Sequence, residues 1–498
     1  MARHELTDAR KRLVLVACIM GSAVVTVDST VVNVALPAIR ADLGGGFAGQ
    51  QWVANGYLVT LASLILVGGS LGDVLGERRV FSAGVIGFGL TSLLCAVAPT
   101  IEVLVLARAL QGVSGALLTP AALAVIVAVF PREQRGKAVG SWTAWSAIGV
   151  VLGPLIGGQL VDSASWRWIF ALNVPLVLAT LLLIARVVPE SRGGGEQSRI
   201  DIAGAVLCAL GLSTLTFGLV RAPDAGLADL TVALPLIASV LSLAGFLTHE
   251  RRTSHPMLPL ELFGNRNFAV GNLQTLAMYA GLSLLFFFLV LFLQQAAGYN
   301  AVEAGLSSLP VTIMMFLTSS RFGALADRYG PRLLMGIGPL VAAAGLGLLT
   351  TVGARVNYLT DLLPPLLVFA VGLSMTVAPL TAAVLASADE GNAGTASGVN
   401  NAIARTAGLL GIAVVGAAVA ARYGSRADAS VGAFHLAMGI SAALVAAGGL
   451  AGLIGIQNPE RRVAAAECPG GQLAGAPADA GGFSADAADP AVAAGAAR

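Results

Sequence analysis

Asp28 and Arg108 are the residues from which chemistry can be built. The aspartate lies deep within an apolar run near 13 to 37 and the arginine within another near 102 to 129. In hydrocarbon an ionised side chain costs at least about 2.5 to 3.5 kcal/mol, so each must face a polar interior, find a partner or lose its charge. At about 1.5 Å of rise per helical residue, and with the N-terminus inside, Asp28 lies roughly 14 Å from the outer end of its run (residue 37) and Arg108 roughly 9 Å from the outer end of its own (residue 102). The two therefore reach broadly similar depth. Desolvation favours the neutral acid and a nearby cation favours the carboxylate, so such a pair can take up and release a proton. A structural reading stands beside this one: a permanent ion pair, or an Asp28 bonded to Ser29, Asn33 or the backbone, that only fixes helices.

Arg405 is a second cation within an apolar run, with Asn400 and Asn401 about one turn away. It either lines a cavity or caps a packing contact. With Asn33, Trp52, Tyr57, Gln111, Trp142, Trp145, Phe287 and Asn401 it makes a candidate set of cavity residues. Their large apolar surfaces suit hydrophobic or amphipathic compounds, although any one of the aromatics can equally face lipid or pack between helices.

The elements that must position these residues are long and apolar. The chain is 56% hydrophobic and 11% charged, with a mean hydropathy of +0.83, where soluble domains carry about 25% charged residues. Runs long enough to cross a bilayer fall near 13–37, 51–72, 79–98, 102–129, 137–160 and 167–188, then near 201–221 and 229–248, then near 268–295, 302–325, 332–352, 360–386, 394–421 and 432–456. The pattern is six, two, six, about fourteen spans, which are helical because a lone span must satisfy its own backbone. It divides the chain into a terminus (1–12), a six-helix bundle (13–188), two extra helices with linkers (189–266), a second six-helix bundle (267–456) and an Ala, Gly, Asp and Pro rich tail (457–498) that reads as disordered. With the N-terminus in the cytoplasm most basic residues face inward, and the outer loops hold Arg40, Arg167, Arg221, Arg355, Arg422 and Arg426, as the positive-inside rule requires. Both ends are then cytoplasmic. No cleavable signal peptide is apparent. Of 29 basic residues only Lys11 and Lys137 are lysine, a usage that suits a GC-rich bacterium and hence a bacterial cytoplasmic membrane.

Two matching strings support the division. GSLGDVLGERR (Gly69 to Arg79) follows the second run and GALADRYGPR (Gly323 to Arg332) follows the tenth. In each a glycine, an aspartate (Asp73, Asp327), a second glycine (Gly76, Gly330) and basic residues (Arg78 and Arg79; Arg328 and Arg332) fall at a turn between two spans. Taken singly, each is a charged turn; repeated at matching places, they indicate an internal duplication. In the fifth run Gly149, Gly153 and Gly157 share a helix face beside Pro154, which lets another helix pack close.

These strings resemble the major facilitator superfamily, and more particularly its fourteen-spanner drug:proton antiporter branch. VDSTVVNVALP (Val27 to Pro37), QWVANGYLV (Gln51 to Val59), LARALQGVSGA (Leu106 to Ala116), GVVLGPLIGG (Gly149 to Gly158) and WRWIFALNVP (Trp166 to Pro175) extend the likeness over about residues 10 to 456. Val74 and Glu77 depart from it, standing where the family has basic residues. The resemblance implies an all-α integral membrane protein of the major facilitator fold, two six-helix bundles plus two extra helices. It implies the repeated turns as gating loops, the fifth-run glycines as an antiporter motif, and Asp28 with Arg108 in proton coupling. It further implies efflux of hydrophobic or amphipathic drugs by alternating access, driven by the proton gradient without a cofactor. A facilitator-family importer of a small metabolite is the alternative.

Other classes fit poorly. There is no GxxxxGK[ST] phosphate loop for an ATP-driven pump, and the four cysteines and four histidines show neither metal-ligand spacing nor the clustering a membrane enzyme would need. A net charge of +2 is too small to suggest a nucleic-acid partner.

Overall fold

A computed structural model describes residues 7–189, 201–387, 393–420 and 427–458. The expected tail, and Arg192, Arg199, Arg422 and Arg426, lie outside the described residues. Within them the chain forms fourteen long helices: α1 (Asp8–Leu43), α2 (Gly46–Leu75), α3 (Glu77–Ala96), α4 (Ile101–Val129), α5 (Arg132–Ser163), α6 (Arg167–Val187), α7 (Ile202–Ala225) and α8 (Leu230–Glu250) come first. Then follow α9 (Arg266–Gln295), α10 (Ala301–Leu306 continued by Leu309–Tyr329), α11 (Pro331–Leu348), α12 (Leu363–Ala386), α13 (Ala393–Ala420) and α14 (Ala427–Gly455). Thirteen are long and apolar enough to cross a membrane; the remaining one, α5, spans 32 residues. Large apolar side chains stand outward on them, among them Leu90, Leu106, Leu182, Phe316 and Ile454. In water such a surface would associate, whereas in a bilayer it is the surface lipid requires.

The two six-helix sets pack by one plan. In the first half α2 and α3 pack on α4 while α5 and α6 pack on α1; in the second α10 and α11 pack on α12 while α13 and α14 pack on α9. The repeated turns are the local expression of this plan. Gly76 ends α2 at φ 94° and Gly330 ends α10 at φ 86°, each donating its N–H back to the helix, to Gly72 O at 2.9 Å and Ala326 O at 2.8 Å. That backbone region strains residues with a Cβ. Two residues on, Arg78 donates to Ala185 O in the last turn of α6 and Arg332 donates to Leu453 O in the last turn of α14. A cation at a helix C-terminus offsets its unsatisfied carbonyls, so each turn also ties down the sixth helix of its own half. The side chains of Asp73 and Asp327 lie outside the described residues.

Helices α7 and α8 form a hairpin, and α7 lies against α2 of the first half and α13 of the second. Asp201 caps α7 through Gly204 N and pairs with His249 of α8 at 2.8 Å, and Glu250 accepts from Leu258 N in the segment leading to α9. The extra helices are thereby bound to each other and to the chain that enters the second half.

At the end where α1 and α9 finish, the halves meet directly. Gln294 donates to Val34 O at 2.9 Å, and Asp162 of α5 accepts from Ala301 N and Val302 N, the exposed donors at the start of α10. Phe47 packs its ring against Phe287 and Phe288, part of an apolar cluster that spans both halves. This end is closed.

Candidate functional site

Asp28 is fully buried, and its carboxylate is saturated with donors. Arg108 of α4 donates through Nη1 to Oδ2 at 2.5 Å, while Gln111 Nε2 and Asn173 Nδ2 donate to Oδ1 at 3.0 and 3.1 Å. Both amides also donate to Ser92 Oγ of α3. The guanidinium has further resting places: Nη1 donates to Gln111 Oε1 at 2.6 Å, Nε to Val53 O at 3.3 Å, and its plane lies 4.4 Å from the centroid of the Tyr57 ring. One network thus ties α1, α2, α3, α4 and α6. It fits the physics of a buried charge, which is tolerated when it is paired and its remaining lone pairs are satisfied. Asp28 and Arg108, expected at broadly similar depth, are in direct contact.

The glycine face of α5 is what brings α1 into place. Gly149 approaches Val27 and Thr26, Gly153 approaches Thr30, and Gly157 approaches Val31 so closely that a methyl group could not be accommodated without moving a helix. Gly158 lies against Val302, and Gly305 of α10 against Pro154. The face thus packs the Asp28 helix on one side, and its end meets the second half on the other.

Between the halves lies a cavity of 360 Å³, within the range of a site for one small molecule. Thr26, Ser29, Thr30 and Asn33 of α1, Tyr57 of α2 and Arg108 line it from the first half; Tyr279 and Phe286 of α9 and Asn401 and Arg405 of α13 line it from the second. Of the expected cavity set, Asn33, Tyr57, Asn401 and Arg405 are there. Gln111 is fully buried behind the wall, in the Asp28 network. Phe287 is buried against Phe47 and Phe288, and the adjacent Phe286 takes the cavity position because a helix turns neighbouring residues to different faces. Trp52 faces Phe217 of α7, in a groove outside the bundle. Trp142 donates to Ser22 Oγ at 2.9 Å, and Trp145 is 59% exposed on the outer surface. The three tryptophans are thus not brought to the cavity, since membrane helices present aromatics to lipid and to each other as readily as to a pore. Asn173, Ser92, Tyr279 and Phe286 complete the picture. Asn173 and Ser92 were not singled out as site residues, and a polar side chain surrounded by apolar residues within a span was the signal for both.

Two helical bundles of like plan, facing each other across a polar cavity within an apolar shell, define a membrane transporter rather than an enzyme. The chain belongs to the Major Facilitator Superfamily, whose family model matches residues 18–412. It is 34% identical over 411 residues to the tetracenomycin C resistance and export protein of Streptomyces glaucescens, covering 82% of this chain and 76% of that one. It is 36% identical to a puromycin resistance protein of Streptomyces alboniger, covering 82% of each, and 34% identical to the cephamycin export protein of Amycolatopsis lactamdurans, covering 83% and 86%. Its relatives include antibiotic export and multidrug resistance transporters. Among solved structures, the inward-open xylose transporter of E. coli matches at a TM-score of 0.61 and 15% identity, covering 91% of this chain and 98% of that one. That likeness bears on the fold alone.

Proposed function

We propose that this protein exports hydrophobic or amphipathic compounds in exchange for protons, by rocking of α1–α6 against α9–α14 about the shared cavity. The N- and C-termini face the cytoplasm of a bacterial cell, so the closed end is the outer one. Supporting export are the relatives, whose names describe resistance and export; supporting the orientation is the bias of basic residues to one side. The observation that carries proton coupling is the buried Asp28–Arg108 pair at the wall of the cavity.

Asp28, Arg108, Gln111, Asn173 and Ser92 all belong to one half, so rigid rocking does not pull them apart. What rocking changes is the access of water to them and the distance of Arg405, which sits in the other half. Protonation of Asp28 removes the attraction that holds the guanidinium, and Val53 O, Gln111 Oε1 and the Tyr57 face already offer it a place to remain. The proton thus needs no new arrangement of the cation. One charge moving down 100 mV supplies about 2.3 kcal/mol, enough for a roughly fifty-fold outward gradient of a neutral substrate per proton. No cofactor is needed.

The test uses everted membrane vesicles energised to an acid interior. Addition of a panel of lipophilic antibiotics to wild type should dissipate the pH gradient, and Asp28→Asn should abolish the response. A response that persists in Asp28→Asn would remove this carboxylate as proton carrier. No response to any compound in wild type would favour the importer.

A further inference from the structure

The cavity is unbalanced in charge. Arg108 is neutralised by Asp28, which lies behind the wall and does not line it. Arg405 is half-buried in the opposite wall and has no hydrogen bond or ion pair with any described residue. No aspartate or glutamate is among the described lining residues. A guanidinium taken part way out of water is unfavourable unless an anion or a set of acceptors meets it, and no described lining residue supplies an anion.

The neighbours of Arg405 add shape to this. Tyr57 stands across the cavity in the first half and Tyr279 and Phe286 line the same half as Arg405, so the cavity offers three aromatic faces. Asn33, opposite in α1, also has no hydrogen-bond partner among the described residues, so its amide is a second donor free to turn inward. In contrast, the hydroxyls of Thr26, Ser29 and Thr30 already donate to carbonyls of their own helix, at 2.9 to 3.1 Å. Among the described charged or amide side chains of the lining, Arg405 and Asn33 make no hydrogen bond at all, while Asn401 gives one of its two N–H groups to Ser397 O.

We infer that the cavity selects aromatic acids: compounds with a flat apolar body and one carboxylate or ionised phenol, the anion held by Arg405 with Asn33 beside it and the body between Tyr57, Tyr279 and Phe286. A fork of guanidinium N–H groups meets a carboxylate with two parallel bonds. A lipophilic cation in the same place meets a like charge and no counter-ion. This inference rests on the exporter reading for the site, and it names the substrate class that the reading leaves open.

Binding to purified full-length protein in nanodiscs tests it without any proton gradient. The probes are anthracene-9-carboxylate and (anthracen-9-ylmethyl)trimethylammonium, which share a body and differ in charge. Wild type should bind the acid at least about ten-fold more tightly than the cation. Arg405→Gln should remove that preference, and Arg405→Glu should reverse it toward the cation, a gain that a misfolded variant cannot show. Equal or tighter binding of the cation by wild type, acid binding unchanged in Arg405→Gln, or no binding of either probe would each overturn the inference. If the acid binds as expected while vesicles show no proton exchange, the antiport reading fails and the substrate class stands.

Discussion

The two halves share a packing plan yet differ in how their interiors are polar. The first half buries a full charge pair, Asp28 and Arg108, inside a network of Gln111, Asn173 and Ser92. The second half buries amides and hydroxyls: Asn400 donates to Asn272 Oδ1 at 3.1 Å and to Thr275 Oγ1 at 2.8 Å, and Gln274 donates to Met335 O. Arg405, the cation this half contributes among the described lining residues, is left to face the other half. Duplication therefore preserved the scaffold, while the charge chemistry became asymmetric. The proposed rocking would use that asymmetry, because one half carries a buried carboxylate with its cation and the other carries a cation whose distance from that pair would change.

The sharpest way to break the comparison is to remove one member of the buried pair. In Arg108→Gln the Asp28 charge remains without its cation, a loss of about 3 to 5 kcal/mol for a buried pair broken on one side. Replacing both partners, as in Asp28→Asn with Arg108→Gln, should be less destabilising than Arg108→Gln alone, since no orphan charge remains. Thermal unfolding of the purified variants in detergent measures this. A double variant at least as unstable as the single would show that the pair is not the unit that matters. Neither variant should transport.

The shared scaffold is tested by its repeated turn. Gly76→Ala and Gly330→Ala place a Cβ at φ 94° and φ 86°, where strain of about 1 to 3 kcal/mol is expected. Because the geometry is the same, the two losses of melting temperature should be close to each other. A large loss at one glycine with none at the other would mean that the turns are alike in sequence and unlike in function.

Much of this was legible beforehand because membranes impose simple rules. Fourteen apolar runs gave fourteen helices, for a chain in lipid has no other way to satisfy its backbone. The repeat at Gly69 to Arg79 and Gly323 to Arg332 gave the two-fold plan, since a glycine with φ above zero leaves a fixed mark in sequence. Asp28 and Arg108 stood out because a charge in an apolar run is rare. Rotation about each helix axis was not legible. Spans that are apolar all round have no polar face to set their orientation, which is why sequence cannot separate the aromatics that line the cavity, Tyr57, Tyr279 and Phe286, from Trp52, Trp142, Trp145 and Phe287, which do not. Asn173 escaped for a related reason: its role depends on α6 meeting α1 and α3, a contact no local pattern records.

The smallest expected effect is in the second half, and its size is the point of the comparison. Asn400→Ala removes two hydrogen bonds between neutral groups. Asn272 keeps its bond to Phe268 O and Thr275 its bond to Gly271 O, and the atom left without a donor is the neutral Asn272 Oδ1 rather than a charge. About 1 kcal/mol of stability should be lost, well below the loss for Arg108→Gln, and substrate binding in nanodiscs should persist because Asn400 does not line the cavity. A loss as large as that of Arg108→Gln would place a second critical polar core in this half. The asymmetry of charge would then not be an asymmetry of consequence.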